Sequence, residues 1–239
     1  MNVSIKSLSI FFPAYNDAQS IPRLIKKADA TARKITSDYE LIVVNDGSAD
    51  NTQEVLEKLK RKYRRLKIVR HGKNKGYGGA LISGFRSSTK EWVFYTDGDG
   101  QYDPTELLKL AKKVGPTVDV VNGYKKGRSD AKHRVFLGSL YNKLLHHIYP
   151  IPISDIDCDF RLIRNKCMKK IHLNSQSGHI CLELVTKLAR IGAHFADIPV
   201  THYERKYGRS EFFRVPHLIK TLQDHALFFF QTRLGRSTG

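Results

Sequence analysis

Two aspartates one residue apart, Asp97 and Asp99, follow the apolar stretch EWVFYT at residues 91–96. Carboxylates this close repel, and each raises the pKa of the other unless a positive charge lies between them. Mg²⁺ and Mn²⁺ prefer oxygen ligands, and Mg²⁺ commonly shares its coordination shell with substrate phosphates. The pattern therefore predicts a divalent cation that carries a diphosphate. A solvated loop can contain the same pattern, but the apolar run before it favours the end of a buried strand.

The elements that would position these aspartates alternate along the first half of the chain. The predicted strands are 8–16, 39–46, 66–71, 91–97 and 118–124. The predicted helices between them are 20–35, 51–63, 76–88 and 104–114. Strands that are apolar throughout, separated by helices, indicate a mostly parallel sheet covered on both faces. The fold class is therefore α/β.

Polar residues cluster where three of these strands end, at 13–17, 45–48 and 97–99. Ligands of open α/β sheets bind beyond the carboxyl ends of the strands. These clusters therefore predict the rim of an active site. The glycines of NKGYGGA at 74–80 match neither a dinucleotide fingerprint nor a phosphate-binding P-loop, and a tight turn with close helix packing explains them.

The second half is less regular. It contains predicted helices at 133–149, 178–192 and 215–234, a strand at 194–202 and a basic loop at 202–212. No linker or internal repeat divides it from the first half, so we expect a single catalytic domain.

Composition limits the classes of function. The chain has 239 residues and a formal net charge of +18, which attracts polyanions such as phosphorylated ligands, nucleic acid or an anionic membrane. Its three cysteines lack metal-ligand spacing, which indicates a reduced, cytoplasmic chain and argues against a zinc site. Neither a signal peptide nor a membrane-spanning run is recognisable in the sequence.

Four segments together resemble the family 2 glycosyltransferases, which are inverting, nucleotide-sugar-dependent enzymes of the GT-A fold. The segments, in chain order, are FFPAYNDAQSI, LIVVNDGSADNT, NKGYGGALISGF and YTDGDGQYDPTEL. The resemblance implies a GT-A domain over 1–212, with a nucleotide-sugar half at 1–125 and an acceptor half at 126–212.

Two later segments narrow the resemblance. ISDIDCDFRLIRN at 153–165 and the stretch 177–212 are similar to dolichyl-phosphate mannose synthases and other polyprenyl-phosphate glycosyltransferases. This implies metal-dependent transfer of a sugar from GDP-mannose or a UDP-sugar to a dolichyl or undecaprenyl phosphate.

The resemblance also implies roles for matching residues. Expected contacts with the nucleotide sugar are Pro13, Tyr15, Asp17, Asn45, Asp46, Gly76, Asp97 and Gly98. The expected Mg²⁺ or Mn²⁺ ligands are Asp97, Asp99 and Gln101. The expected acceptor or phosphate ligands are Lys125, Arg134, Arg161, Arg205 and Ser210. The expected catalytic residues are Asp99, Asp155 and Arg205.

Three of these positions depart from the family pattern. Asp17 stands where the acid is often glutamate, and Asn45 stands where an aspartate is common. Lys125 replaces an arginine, and lysine cannot make the planar two-point grip on phosphate. For each single arginine among the phosphate ligands, a surface salt bridge is the alternative interpretation.

The chemistry of the acceptor decides whether a general base is needed. A hydroxyl acceptor requires one, whereas a polyprenyl phosphate is already mostly anionic near neutral pH. The candidate bases are Asp155, Asp157 and Asp159, among which Asp155 is interpreted as an orienting residue or an optional base.

A family 2 enzyme acting on a hydroxyl therefore remains an alternative. A nucleotidyltransferase or nucleic-acid-binding protein is a more distant one, and no nucleic-acid partner is expected because the aromatic interleaving of single-strand binders is sparse.

The segment 213–239 predicts an amphipathic helix. One face would carry Leu218, Ile219, Leu222, Ala226, Phe229 and Phe230, with Arg214, Lys220, Arg233 and Arg236 available to anionic headgroups. This pattern fits a helix lying in a membrane interface, and packing against the protein's own sheet is the alternative. We expect a peripheral enzyme at the cytoplasmic face of an anionic membrane, and a membrane-anchoring partner subunit is a further candidate partner.

Overall fold

The computed structural model of the protein describes residues 5–126, 143–149, 151–207 and 215–233. Within the last of these ranges, side chains are described for residues 219–230. Arg134 and Ser210, two of the expected phosphate ligands, lie outside the described residues.

A seven-stranded sheet forms the centre of the structure. Its strands in chain order are β1 (Ser7–Ala14), β2 (Asp38–Asn45), β3 (Leu66–Arg70), β4 (Trp92–Thr96), β5 (Val120–Lys126), β6 (Phe160–Arg164) and β7 (Phe195–Thr201). Their spatial order is β3-β2-β1-β4-β6-β5-β7. Only β6, among these strands, is antiparallel to its neighbours, β4 and β5. The predicted mostly parallel α/β sheet is confirmed.

Helices cover both faces of this sheet. They are α1 (Ile21–Ile35), α2 (Thr52–Lys62), α3 (Gly76–Ser87), α4 (Leu107–Ala111), α5 (143–148), α6 (Asn165–Met168), α7 (Ile180–Arg190) and α8 (Val215–Arg233). The helix predicted over 104–114 is instead a 3₁₀ turn, Pro104–Glu106, followed by the short α4. Of the helix predicted over 133–149, the structure describes only α5.

Residues of β1 show why its sequence is apolar throughout. Ile10 and Phe12 belong to the core cluster that includes residues of α1 and α4, whereas Phe11 packs in the opposite cluster with α3 and α7. All three side chains have no exposed surface. Alternate residues of a strand point to opposite faces, so a strand between two helical layers has no polar face.

The carboxyl ends of β1, β2 and β4 meet at one edge, because these strands are adjacent and parallel. Two backbone hydrogen bonds join the residues that follow β4 and β2 to the last two residues of β1. Gly98 N donates to Pro13 O at 3.1 Å, and Asp46 N donates to Ala14 O at 2.9 Å. The three polar clusters expected at an active-site rim are therefore brought together.

The inner face of α8 packs on the domain. Asp224 accepts hydrogen bonds from Ser175 and Ser177, and the Phe228 ring lies 5.8 Å from that of Tyr149. The side chain of Phe228 is buried. The helix therefore has a polar and aromatic contact with the body of the protein.

The outer face of α8, opposite Asp224 and Phe228, is apolar and exposed. Its large side chains are Ile219, Leu222, Leu227 and Phe230, between 50% and 65% exposed. The alternative of packing on the protein therefore holds for one face of the helix, and contact of the exposed face with a membrane stays a prediction. Among the described helices, none is long and apolar enough to cross a membrane.

Candidate active site

Asp97 immediately follows β4, at the edge where the strand ends meet. Its Oδ1 accepts a hydrogen bond from the Tyr77 hydroxyl at 2.7 Å. Burial, followed by the nearby charges of Asp159 and Asp99, raises the pKa of Asp97 well above its usual range. A positive charge beside Asp97 would favour its ionised form and oppose this shift.

Asp99 lies in the same buried cluster, two residues further on. Burial raises the pKa of Asp99, and two groups oppose this shift by favouring the charged form. The first is the backbone N–H of Gln101, which donates to Asp99 Oδ1 at 3.0 Å. The second is the guanidinium of Arg205, whose Nη1 lies 3.8 Å from Asp99 Oδ2.

Gly98, between these two aspartates, is held tightly against the end of β1. Its carbonyl accepts from Ser20 Oγ at 2.5 Å. A Cβ atom at this position would lie 2.5 Å from Pro13 O and 3.3 Å from Asp17 Oδ2. Since backbone atoms cannot yield that much space, the close approach of the loops requires glycine here.

Asp17 lies across from Asp99, in the loop after β1. Its Oδ2 accepts the Tyr15 N–H at 3.0 Å, and its Oδ1 lies 3.4 Å from Nη2 of Arg205. Burial is the main reason that the pKa of Asp17 rises to about 6. Arg205 therefore contacts both Asp17 and Asp99 with one guanidinium group.

Asn45 and Asp46, at the end of β2, are buried and engaged with the protein. Asn45 Oδ1 accepts the Ser48 N–H at 3.1 Å. Asp46 Oδ1 accepts the Lys75 N–H at 2.9 Å and lies 2.5 Å from Nδ1 of His71. Both side chains thus shape the loops around the site, and their contact with a nucleotide stays a prediction.

Gln101 links the loop after β4 to the segment after β7. Its side-chain Nε2 donates to Tyr203 O at 3.1 Å, and Tyr203 N donates to Gln101 O at 2.8 Å. These bonds bring Arg205, two residues beyond Tyr203, to the site. A metal-ligand role for Gln101 stays a prediction.

The proposed acceptor side is built around Asp155. Its Oδ2 accepts the Lys125 N–H at 3.3 Å, and its Oδ1 accepts the Asp157 N–H at 3.2 Å. The Lys125 ammonium donates to Asp157 O at 2.8 Å and lies 4.0 Å from Asp155 Oδ2. Burial raises the pKa of Asp157 to about 6.

Arg161 has a different position from the one expected. It lies in β6 with no exposed surface, and its Nε donates to Asn122 Oδ1 at 2.6 Å. Its Nη1 donates to the Tyr95 hydroxyl at 2.5 Å, and its Nη2 donates to the carbonyl of Ile156. This placement argues against direct phosphate binding by Arg161, since all three nitrogens already bond to the protein.

The sequence did not predict that Asp159 and Tyr77 lie beside Asp97. Asp159, considered only as a candidate base, is the charged group that most raises the pKa of Asp97. Tyr77, which donates to Asp97, was considered only as part of a glycine-rich turn. The single aromatic residue among those glycines was the available signal.

The family model for "Glycosyl transferase family 2" matches residues 9–171, more than half of the chain. The chain belongs to the family 2 glycosyltransferases. It is therefore a glycosyltransferase, and the alternative of a nucleotidyltransferase or nucleic-acid-binding protein is not supported.

Solved structures of other proteins support the assignment of the fold. Glucosyl-3-phosphoglycerate synthase from Mycobacterium tuberculosis, in complex with Mn²⁺, UDP and glucosyl-3-phosphoglycerate, aligns with a TM-score of 0.73 at 17% identity, over 96% of this chain and 80% of that one. Mannosyltransferase PcManGT from Pyrobaculum calidifontis, in complex with GDP-Man and Mn²⁺, aligns with a TM-score of 0.63 at 19% identity, over 94% and 65% of the two chains. The expected GT-A fold is confirmed.

Proposed function

We propose that this family 2 glycosyltransferase transfers a sugar, with inversion, from a nucleotide diphosphate to a polyprenyl phosphate. The observation that carries the proposal is the meeting of Asp17, Asp97, Asp99 and Arg205 at the carboxyl ends of adjacent strands. This places paired carboxylates beside one cation, which suits a diphosphate and its metal.

The donor is a nucleotide sugar, GDP-mannose or a UDP-sugar. The similar mannosyltransferase holds GDP-Man, and the similar glucosyl-3-phosphoglycerate synthase holds UDP or UDP-glucose. In this chain, Asp17 would accept hydrogen bonds from the ribose hydroxyl groups. Pro13 and Tyr15 would lie beside the base. Gly98 would act through its backbone, because the protein fills the space that a side chain would need there.

The chemistry of the site fits Mg²⁺ or Mn²⁺. Asp97 and Asp99 would hold the ion, with Gln101 as the expected third ligand. Within the described ranges, no three acidic, histidine or cysteine side chains converge as a complete metal cage. Mg²⁺ is commonly held by one or two carboxylates together with substrate phosphates, so two aspartates suffice. The similar glucosyl-3-phosphoglycerate synthase has been solved with Mn²⁺ and UDP and with Mg²⁺ and UDP.

The chain's own residues explain how the donor would be activated. Negative charge accumulates on the leaving diphosphate as the sugar becomes oxocarbenium-like. The guanidinium of Arg205 would stabilise this charge by charge-assisted hydrogen bonds. A divalent cation, when bound, supplies further neutralisation of the leaving group. The acceptor then attacks the opposite face of the anomeric carbon, and inversion follows.

The surroundings of Asp155 support a phosphate acceptor. Its two carboxylate oxygens accept the N–H groups of Lys125 and Asp157, so it organises the loop. Lys125 lies beside it as a cation that suits a phosphate. A phosphate acceptor is already deprotonated, which agrees with a site where the buried carboxylate has a structural task.

Membrane association would bring this cleft to its lipid. The outer face of α8 is apolar, and the chain carries a net charge of +18. The apolar face would insert into the membrane interface, and anionic lipids would attract the positive charge. Both features fit a peripheral enzyme at the cytoplasmic face of a membrane. A membrane-anchoring partner subunit is the alternative occupant of the same face.

A soluble acceptor is a second candidate. The similar glucosyl-3-phosphoglycerate synthase has been solved with phosphoglyceric acid, a small phosphorylated molecule. The same cationic side chains would suit such an acceptor, and a plain hydroxyl acceptor belongs to the same group of alternatives.

A donor and acceptor panel tests the proposal. GDP-mannose and several UDP-sugars would each be offered with a short polyprenyl phosphate, the matched polyprenol, phosphoglyceric acid and a simple sugar. We expect transfer to the polyprenyl phosphate and none to the polyprenol, with inverted anomeric configuration by NMR. Transfer to phosphoglyceric acid or to a hydroxyl, with the polyprenyl phosphate inert, would contradict the lipid acceptor but not the donor assignment.

A further inference from the structure

Tyr77 holds one of the two oxygens of Asp97. Tyr77 is the second residue of α3. Its hydroxyl donates a hydrogen bond to Asp97 Oδ1 at 2.7 Å. Among the described residues, no hydrogen bond reaches Asp97 Oδ2. In the described part of the chain, the protein therefore fixes one oxygen of Asp97 and donates no hydrogen bond to the other.

The position of Tyr77 is itself fixed by the two glycines beside it. Gly76 has a φ of +80°, which a non-glycine residue rarely adopts, so the chain turns sharply into α3. Gly78 N donates to Gln176 O at 3.1 Å, and a Cβ atom at Gly78 would lie 2.1 Å from Ser175 O. The start of α3 is thus packed directly against the backbone at 175–176.

The Tyr77 hydroxyl is the donor in this bond, because a carboxylate oxygen can only accept. Its role is therefore to hold Asp97 in place, with Asp97 as the metal ligand.

We propose that Tyr77 is a positioning residue for the metal site, which fixes the Asp97 carboxylate so that Oδ2 faces the cation and the donor diphosphate. This inference rests on the metal site of the proposed function. Partners that orient a metal ligand reduce the cost of ordering it, and their loss commonly weakens metal affinity or activity by about 10–100-fold.

A merely structural role would have a different signature. Buried hydroxyls generally find a hydrogen-bond partner, so the bond to Asp97 could serve folding alone. In that case its removal would lower the melting temperature without changing the affinity for metal. Direct metal binding therefore separates the two roles, and it needs no turnover.

The test is Tyr77→Phe, which removes the hydroxyl and keeps the ring. Mn²⁺ binding is measured without substrate, from the electron paramagnetic resonance signal of the free ion. Tyr39→Phe is a matched control, since the Tyr39 hydroxyl donates to Asp29 Oδ1 at 2.6 Å away from the site. We expect the Mn²⁺ Kd to rise about tenfold in Tyr77→Phe and to stay unchanged in Tyr39→Phe. We also expect the metal concentration at half-maximal activity to rise with the Kd.

Asp97→Ala distinguishes the possible failures. If Asp97→Ala loses Mn²⁺ while Tyr77→Phe binds it as the unaltered protein does, the positioning role is overturned and the metal site stands. If Asp97→Ala binds Mn²⁺ unchanged, the metal assignment itself fails, and the role of Tyr77 fails with it. Equal weakening in Tyr77→Phe and Tyr39→Phe would also overturn the proposal, because it would indicate a general loss of structure.

Discussion

Arg205 lies 3.4 Å from Asp17, although 188 residues separate them along the chain. The same guanidinium lies 3.8 Å from Asp99. The segment after β7 thus contributes the guanidinium of Arg205 to the active-site edge of the sheet. The first half of the chain contributes the carboxylates of Asp17 and Asp99. Neither half alone provides the balance of charge that a diphosphate requires, so the site depends on the contact between them.

The first prediction compares Arg205 with Asp155. Arg205→Ala should lower kcat by roughly 10²-fold, since it removes a charge-assisted contact to the leaving group. Asp155→Asn should retain substantial activity if the acceptor is a phosphate, because no proton has to be removed from it. Steady-state rates with the same donor and a short polyprenyl phosphate measure both effects.

Arg205→Lys is the matched variant, because it keeps the charge and loses the planar fork, and its rate should be intermediate. The opposite ranking would contradict a phosphate acceptor. In that case Asp155→Asn would lower the rate more than Arg205→Ala does. The rate of the unaltered enzyme would also increase with pH over the range in which a carboxylate ionises.

The second prediction concerns the metal. Asp97→Ala and Asp99→Ala should each lower the rate by roughly 10²-fold or more. EDTA should abolish turnover, and Mg²⁺ or Mn²⁺ should restore it. Asp38→Ala is the control, since Asp38 is an exposed carboxylate that pairs with Lys90. Full activity of Asp97→Ala in the presence of chelator would refute the metal assignment.

Much of the fold could be predicted because the first half has strong local patterns. Each of its strands was predicted to within two residues of its observed bounds, since apolar runs without a polar face are easily recognised. The insertion of β6 between β4 and β5 was not predicted. Strand order depends on which edges pair in three dimensions, and the sequence 155–166 carries no local sign of its partners.

The same difference between local and tertiary information explains the site. The paired aspartates and Asp17 were recognisable because their types and positions match a chemical task. Arg161 was misjudged because its partners come from other strands, with Tyr95 opposite it on β4 and Asn122 opposite it on β5. Tyr77 was missed for the same reason, since its bond to Asp97 joins residues 20 positions apart.

The third prediction concerns acid stability at the contact between α8 and the domain. His179 and His225 face each other with their Nδ1 atoms 2.5 Å apart, and burial is the main cause that lowers the pKa of each to about 4. Below about pH 6.5 the unfolded chain binds protons that the folded pair does not. The free energy of unfolding should therefore fall as the pH drops from about 6.5 towards 4.

The size of this effect follows from the pKa difference. Each histidine would cost up to about 2 kcal/mol at pH 5 relative to pH 7. Urea unfolding at the two pH values should show that His225→Gln reduces the loss of stability. The exposed His147 on α5 offers a control, and His147→Gln should leave the loss unchanged. An equal loss in His225→Gln and the unaltered protein would show that other groups govern acid sensitivity.

The fourth prediction concerns the outer face of α8. The inner face is occupied by contacts of Asp224, His225 and Phe228 with the domain, so deleting residues 225–239 would damage the protein as well as the outer surface. Polar substitutions confined to the outer face are the sharper test. The double variant Leu222→Ser and Phe230→Ser changes two side chains that are 65% and 58% exposed.

The unaltered protein should sediment with anionic liposomes at low salt and dissociate at high salt, because basic residues near an anionic surface contribute about 1 kcal/mol each and are screened by ions. The double variant should bind less at every salt concentration, since apolar area adds to the electrostatic attraction. It should also turn over lipid acceptor more slowly while binding the nucleotide sugar normally. Gln223→Ser, on the same exposed side, is the control for substitution without loss of apolar area. Equal sedimentation with neutral and anionic liposomes, unchanged in the double variant, would mean that α8 does not recruit the enzyme and that a partner subunit must.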